Sequence, residues 1–132
     1  MIGPSIVQVL EASGDSDIAV AGAAAVIYSA SFNLKHAEYF SLAYIATSDG
    51  VVALVLQLEQ SFQLPTTEGA ADANWVIPEG MADINAALAD ETMHIESISP
   101  VPMPYARIKI SGAGGNDAST TIRLRAGIQS HW

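Results

Sequence analysis

Tyr105-Ala106-Arg107-Ile108-Lys109-Ile110-Ser111 and, beyond a loop, Thr121-Ile122-Arg123-Leu124-Arg125-Ala126-Gly127-Ile128-Gln129 alternate apolar with polar or small side chains at a period of two. That period belongs to a strand with one face on a core and the other in water. The loop between them opens Gly112-Ala113-Gly114-Gly115-Asn116-Asp117, a run of turn formers. The two stretches therefore read as a β-hairpin.

A second hairpin is expected from residues 39–47 and 51–61, joined at Ser48-Asp49-Gly50. Asp-Gly between β-rich runs is a strong reversal signal. One face would carry Phe40, Leu42 and Tyr44 with Val52, Leu54, Leu56 and Leu58. The opposite face is also apolar: Ala43, Ile45, Val51, Ala53 and Val55. Strands that are apolar on both faces need cover on both. Cover by another subunit or by a larger assembly is the expectation for that outer face, with a place inside the domain's own sandwich as the alternative.

Elsewhere the signals are shorter. Residues 6–12 and 23–32 read as strands around the turn-rich Ser13-Gly14-Asp15-Ser16-Asp17. Residues 74–77 form a short strand closed by Pro78, and 92–99 another, ended by Pro100, Pro102 and Pro104, which cannot enter a central ladder. Met81, Ile84 and Leu88 fall at helical spacing, which predicts a turn or two of helix after Gly80. The architecture expected is all-β: one domain over residues 1–132, an antiparallel β-sandwich of seven or eight short strands, with a jelly roll as one form of it.

Composition excludes several functions. Fourteen acids against five bases give a net charge of −9, the wrong sign for neutralising phosphates, so no nucleic-acid partner is expected. The absence of cysteine removes disulfides, thiol catalysis and cysteine zinc sites. The longest apolar stretch, residues 18–28, is about half of what a membrane span needs, and Glu11, Asp15 and Asp17 precede it where an export signal would carry bases. Synthesis in a cytoplasm, with no membrane partner, is the expectation. Half of the residues are hydrophobic and only 14% charged, so disorder is excluded and some apolar surface is expected to be covered by other molecules.

Catalytic and metal constellations are weak. His94 and Glu96 share a strand face, but a metal site needs further ligands. Asp15 and Asp17 lack the spacing of a calcium loop. The Gly112 loop lacks the Lys-Ser/Thr and following helix of a phosphate cradle. Paired acids such as Asp90-Glu91 point to opposite faces of a strand. No catalytic residue, cofactor or metal is expected. Trp75, Trp132, Tyr105 and Tyr39 suit either a sugar-stacking platform or, for Trp75 above all, a core or interface position.

One cluster stands apart. Arg107, Lys109, Arg123 and Arg125 are four of the five bases and fall on the polar face of the first predicted hairpin. Paired, they would form a compact basic patch on an acidic protein, and like charges so opposed are destabilising unless neutralised. Acids on a neighbouring strand would do that; so would docking onto an acidic partner.

The chain resembles small β-sandwich virion proteins of tailed bacteriophages. The resemblance is carried by Tyr39-Phe40-Ser41-Leu42-Ala43-Tyr44, Ser48-Asp49-Gly50, Glu59-Gln60-Ser61 and Trp75-Val76-Ile77-Pro78. It continues from Ser99-Pro100 through Tyr105-Ala106-Arg107-Ile108-Lys109-Ile110-Ser111-Gly112 to Asn116-Asp117-Ala118-Ser119-Thr120-Thr121 and a final strand. It covers most of residues 25–129 and is one of pattern, with no ligand motif. It implies a structural protein: a capsid decoration (cement) protein, or part of the neck or tail. Such a protein would be a homo-oligomer without cofactor, located in the virion, with the major capsid protein or another virion protein as partner. A stand-alone carbohydrate- or ligand-binding β-sandwich is the alternative.

Overall fold

The computed structural model describes residues 2–9, 18–19, 26–35, 37–47, 53–85, 93–100, 102–113 and 121–131. In chain order the strands are β1 (Ile2–Val9), β2 (Ile18–Ala19), β3 (Val26–Tyr28), β4 (Phe32–Asn33), β5 (Ala37–Thr47), β6 (Ala53–Ser61), β7 (Ile84–Asn85), β8 (His94–Ser97), β9 (Tyr105–Ala113) and β10 (Thr121–His131). All pairings are antiparallel. One sheet, here sheet A, has the order β1-β10-β5-β8, with β2 also on β10; sheet B has β3-β9-β6-β7, with β4 also on β9. The protein is an all-β antiparallel sandwich. The described residues form ten strands rather than seven or eight, three of which, β2, β4 and β7, are two-residue pieces.

The alternating runs build the core. β5 contributes Phe40, Leu42, Tyr44 and Ala46, and β10 Ile122, Leu124, Ala126 and Ile128. From sheet B come Leu54, Leu56 and Leu58 of β6 and Ala106, Ile108 and Ile110 of β9. Phe32 and Leu34 close one end, Phe32 stacking on Phe40 with ring centroids 5.6 Å apart. Burying each Leu or Ile side chain contributes about 1.5–3 kcal/mol.

Both predicted hairpins are corrected. β9 and β10 lie in different sheets, and so do β5 and β6. From β5 to β6, and again from β9 to β10, the chain passes from one sheet to the other. The physical reason is that a hairpin and a corner bury the same alternating residues: the first sets the two apolar faces side by side, the second sets them against each other. Leu42 and Leu56 do meet in one core, but from opposite layers.

The predicted helix is also corrected. Pro78-Glu79-Gly80-Met81 is a turn closed by Met81 N–H to the Pro78 carbonyl (3.0 Å). Gly80 sits at φ 82°, the left-handed value that the third residue of a type II turn requires. Ile84 then pairs with Leu56 as a strand, while Leu88 lies outside the described residues. Met81 and Ile84 pack on the core from this edge, so their spacing reflects burial and not a helix. The run 23–32 is broken at Ser29, where the register on β9 slips by one residue. There the Ser29 hydroxyl accepts the Ile108 N–H (2.8 Å), keeping that donor satisfied.

Candidate functional site

A sandwich offers two outer faces, and the described residues treat them differently. On sheet B, Val55, Gln57 and Glu59 of β6 stand beside Ser111, Lys109 and Arg107 of β9. The segment 62–83 returns across this face as a strap. Its backbone joins the sheet where Gln60 and Val76 exchange hydrogen bonds (2.8 and 3.2 Å). Gln57 Nε2 donates to Asp83 Oδ1 (2.9 Å). The Glu68 carboxylate accepts from the Ser31 N–H and, at 2.9 Å, from its hydroxyl.

Arg107 lies beneath the strap and is wholly buried. Its Nε donates to Glu59 Oε1 at 2.8 Å, and Nη1 to the Ala70 carbonyl at 2.8 Å. The guanidinium is sandwiched between Tyr28 and Trp75, 4.0 and 4.9 Å from the ring centroids. Buried charge needs such pairing, and Arg suits it because its planar face stacks while its edge donates. Two donors here, Arg107 Nη2 and Trp75 Nε1, are buried with no hydrogen-bond partner among the described residues.

The strap's own geometry holds Trp75 in place. Asp72 accepts the Asn74 N–H (2.9 Å) and the Thr66 N–H (3.1 Å), and these backbone bonds hold its carboxyl below the usual carboxylate range. Trp75 N–H then donates to the Asp72 carbonyl (3.0 Å). Gly69, at φ 80°, makes a second type II turn closed by Ala70 N–H to the Thr67 carbonyl.

The outer face of sheet A is built otherwise. Arg123 lies directly opposite Ile45, and Arg125 opposite Ala43. Across β5, Ala43 in turn faces Ile95 of the edge strand β8. Ile95 is 66% exposed and Tyr39, on the same face of β5, 56%. Arg123 is exposed, while Ala43, Ile45 and Arg125 are half-buried. Arg125 also donates from Nη1 to the Leu124 carbonyl (2.7 Å).

The basic patch predicted from the hairpin is therefore corrected. Arg107 and Lys109 lie on one outer face and Arg123 and Arg125 on the other, separated by the core. Arg107 is neutralised on the neighbouring strand by Glu59 and cannot touch a partner. The apolar outer face divides likewise: Ala43 and Ile45 belong to sheet A, Val55 to sheet B. Ala53 begins β6 opposite Ala113, and Val51 lies outside the described residues. What the structure does bring together is Ala43, Ile45, Arg123 and Arg125, with Ile95 added. The missing signal was sheet membership of β8, which alternation alone does not carry.

The other candidates resolve simply. Trp75 is buried, and so unavailable as a stacking platform. His94 stacks on Tyr44, centroids 5.3 Å apart. Among the described residues no three His, Asp or Glu side chains gather as metal ligands. Asp15, Asp17, Asp90, Glu91 and Trp132 lie outside those residues. No helix of the described residues is long and apolar enough to cross a membrane. Compared with known proteins, the chain matches no protein-family model, no curated protein and no solved structure.

Proposed function

We propose that this protein is a structural component of a tailed-phage virion, a capsid decoration protein that binds the head shell through the outer face of sheet A. The observation that carries the proposal is the contrast between the two outer faces. On sheet B the chain's own strap lies over Arg107 and Glu59, whereas among the described residues sheet A presents Tyr39, Ala43, Ile45 and Ile95 beside Arg123 and Arg125. An apolar stripe flanked by two arginines suits a partner surface that is apolar at its centre and acidic at its rim.

The strand order supports the same reading by analogy of fold. We read β1-β10-β5-β8 facing β3-β9-β6-β7 as a jelly roll, because apart from β6 to β7 the chain changes sheet at each step along these eight strands. Viral capsid domains use that architecture, and lectins share it. The burial of Trp75 removes the most suitable stacking ring from a glycan-binding surface, which favours the virion role over the ligand-binding one.

The test is co-sedimentation of the purified chain with heads assembled from the major capsid protein encoded beside it. Saturable binding at a fixed ratio to capsid subunits is expected. A gene with no capsid gene for a neighbour, or heads that leave the chain in the supernatant, would overturn the proposal.

A further inference from the structure

Among the described strands β8 ends sheet A, and its ladder with β5 assigns the two sides of its backbone. Ile98 N–H donates to the Phe40 carbonyl (3.2 Å), continuing the register in which Glu96 faces Leu42 and His94 faces Tyr44. Hydrogen-bonded and non-bonded pairs alternate along an antiparallel ladder. Residues 94, 96 and 98 thus direct their backbone groups to β5, and Ile95 and Ser97 direct theirs to the open edge. This edge carries Ile95 at 66% and Met93 at 54% exposure, and residues 93–97 include neither the proline nor the lysine that commonly blunts a free strand.

We propose that this edge joins a second copy of the chain, β8 to β8 and antiparallel, about a two-fold axis through Ile95. The parity of the backbone groups admits only registers that set odd residues against odd ones. A register centred on Glu96 opposes two carboxylates, and one centred on His94 opposes two imidazoles. Centred on Ile95, the pairing sets His94 of each copy against Glu96 of the other, Ile95 against Ile95, and Met93 against Ser97. The segment Met93-His94-Ile95-Glu96-Ser97 is thus complementary in charge to its own antiparallel copy. A self-complementary patch is what a two-fold interface demands. The pairing would continue sheet A across the axis and double the outer face that bears Ala43, Ile45, Arg123 and Arg125. It rests on the virion reading for its biological role, as one contact of the proposed oligomer, but not for its existence.

Sedimentation of the full chain over a concentration series reads the contact. Ile95→Pro removes an N–H aimed at the open edge and none of those that bond β5. It is expected to weaken self-association by about tenfold or more, as two edge hydrogen bonds are lost per dimer. A second arm does not depend on proline being tolerated. His94→Glu sets acid against acid, and Glu96→Lys sets lysine against histidine, so each variant alone associates weakly. In an equimolar mixture each introduced acid meets the introduced lysine, and association returns towards the wild-type level. A wild-type chain that stays monomeric, an Ile95→Pro variant that associates normally, or a mixture no better than its components would each overturn the proposal. A monomer that still saturates heads overturns this contact alone, and a dimer that ignores heads overturns the virion reading alone.

Discussion

Arg107 and Glu59 face each other across β9 and β6, Nε to Oε1 at 2.8 Å, and both are almost wholly withdrawn from water. The pair sits on the outer side of its sheet, where polar side chains ordinarily meet solvent, because the strap has been laid over it. One buried guanidinium thereby joins β6, β9, the Ala70 carbonyl and two aromatic rings.

Removing that guanidinium strands the carboxylate. Arg107→Ala is expected to destabilise the fold by about 3–5 kcal/mol, since Glu59 is left buried and uncompensated. Pairing it with Glu59→Gln should recover part of the loss. Urea denaturation of wild type, Arg107→Ala and the double variant checks both statements, and an Arg107→Ala protein as stable as wild type would contradict them.

The strap should loosen in acid. Because backbone hydrogen bonds depress the Asp72 carboxyl in the folded state, its stabilising contribution is present above the ordinary carboxylate range and is lost as pH falls through the lowered folded value. Trp75 emission, read in a Trp132→Phe background, is expected to shift to the red below about pH 4, ahead of global unfolding. Asp72→Ala should produce the shift at neutral pH. Emission that moves only with the global transition would show that Asp72 does not hold the strap.

On sheet A, Arg123→Gln with Arg125→Gln should leave the melting temperature nearly unchanged, since neither side chain enters the core. Head binding should weaken, and its salt dependence should flatten, because exposed ion pairs of about 0.2–1 kcal/mol each are repeated over many copies. Binding and salt slope at wild-type levels would remove the arginines from the interface.

Ile45→Asp probes the apolar half of the same face. Ile45 lies outside the core, so the variant is expected to fold, with a stability loss of at most about 1 kcal/mol, and to lose head binding. Thermal denaturation separates the two effects: a large fall in melting temperature would mean that Ile45 supports the fold instead.

A core change gives the opposite signature. Leu124→Ala, at a wholly buried position of β10, should cost about 2–5 kcal/mol through the cavity it leaves. The binding that remains below its melting temperature should be of unaltered affinity. Calorimetry combined with co-sedimentation tests the separation.

The period-two alternation in β5, β6, β9 and β10 was sufficient to determine that the chain is all-β and which side chains face inward, because the pleat makes that choice residue by residue. Leu42, Leu56, Ile108 and Leu124 could be assigned to the core from their neighbours alone. Which strands share a sheet was not encoded locally. A corner and a hairpin bury the same residues, so only the closing of two layers around one core decided that β9 pairs with β6 and β10 with β5. That decision separated Arg107 and Lys109 from Arg123 and Arg125. It also placed Ile45 beside Arg123, two residues whose adjacency depends on a contact between β5 and β10, far apart in the chain. The fate of Arg107 depended further on the strap, whose irregular sequence carries no periodic signal; its burial follows from Glu59, Tyr28 and Trp75 converging on one point in space.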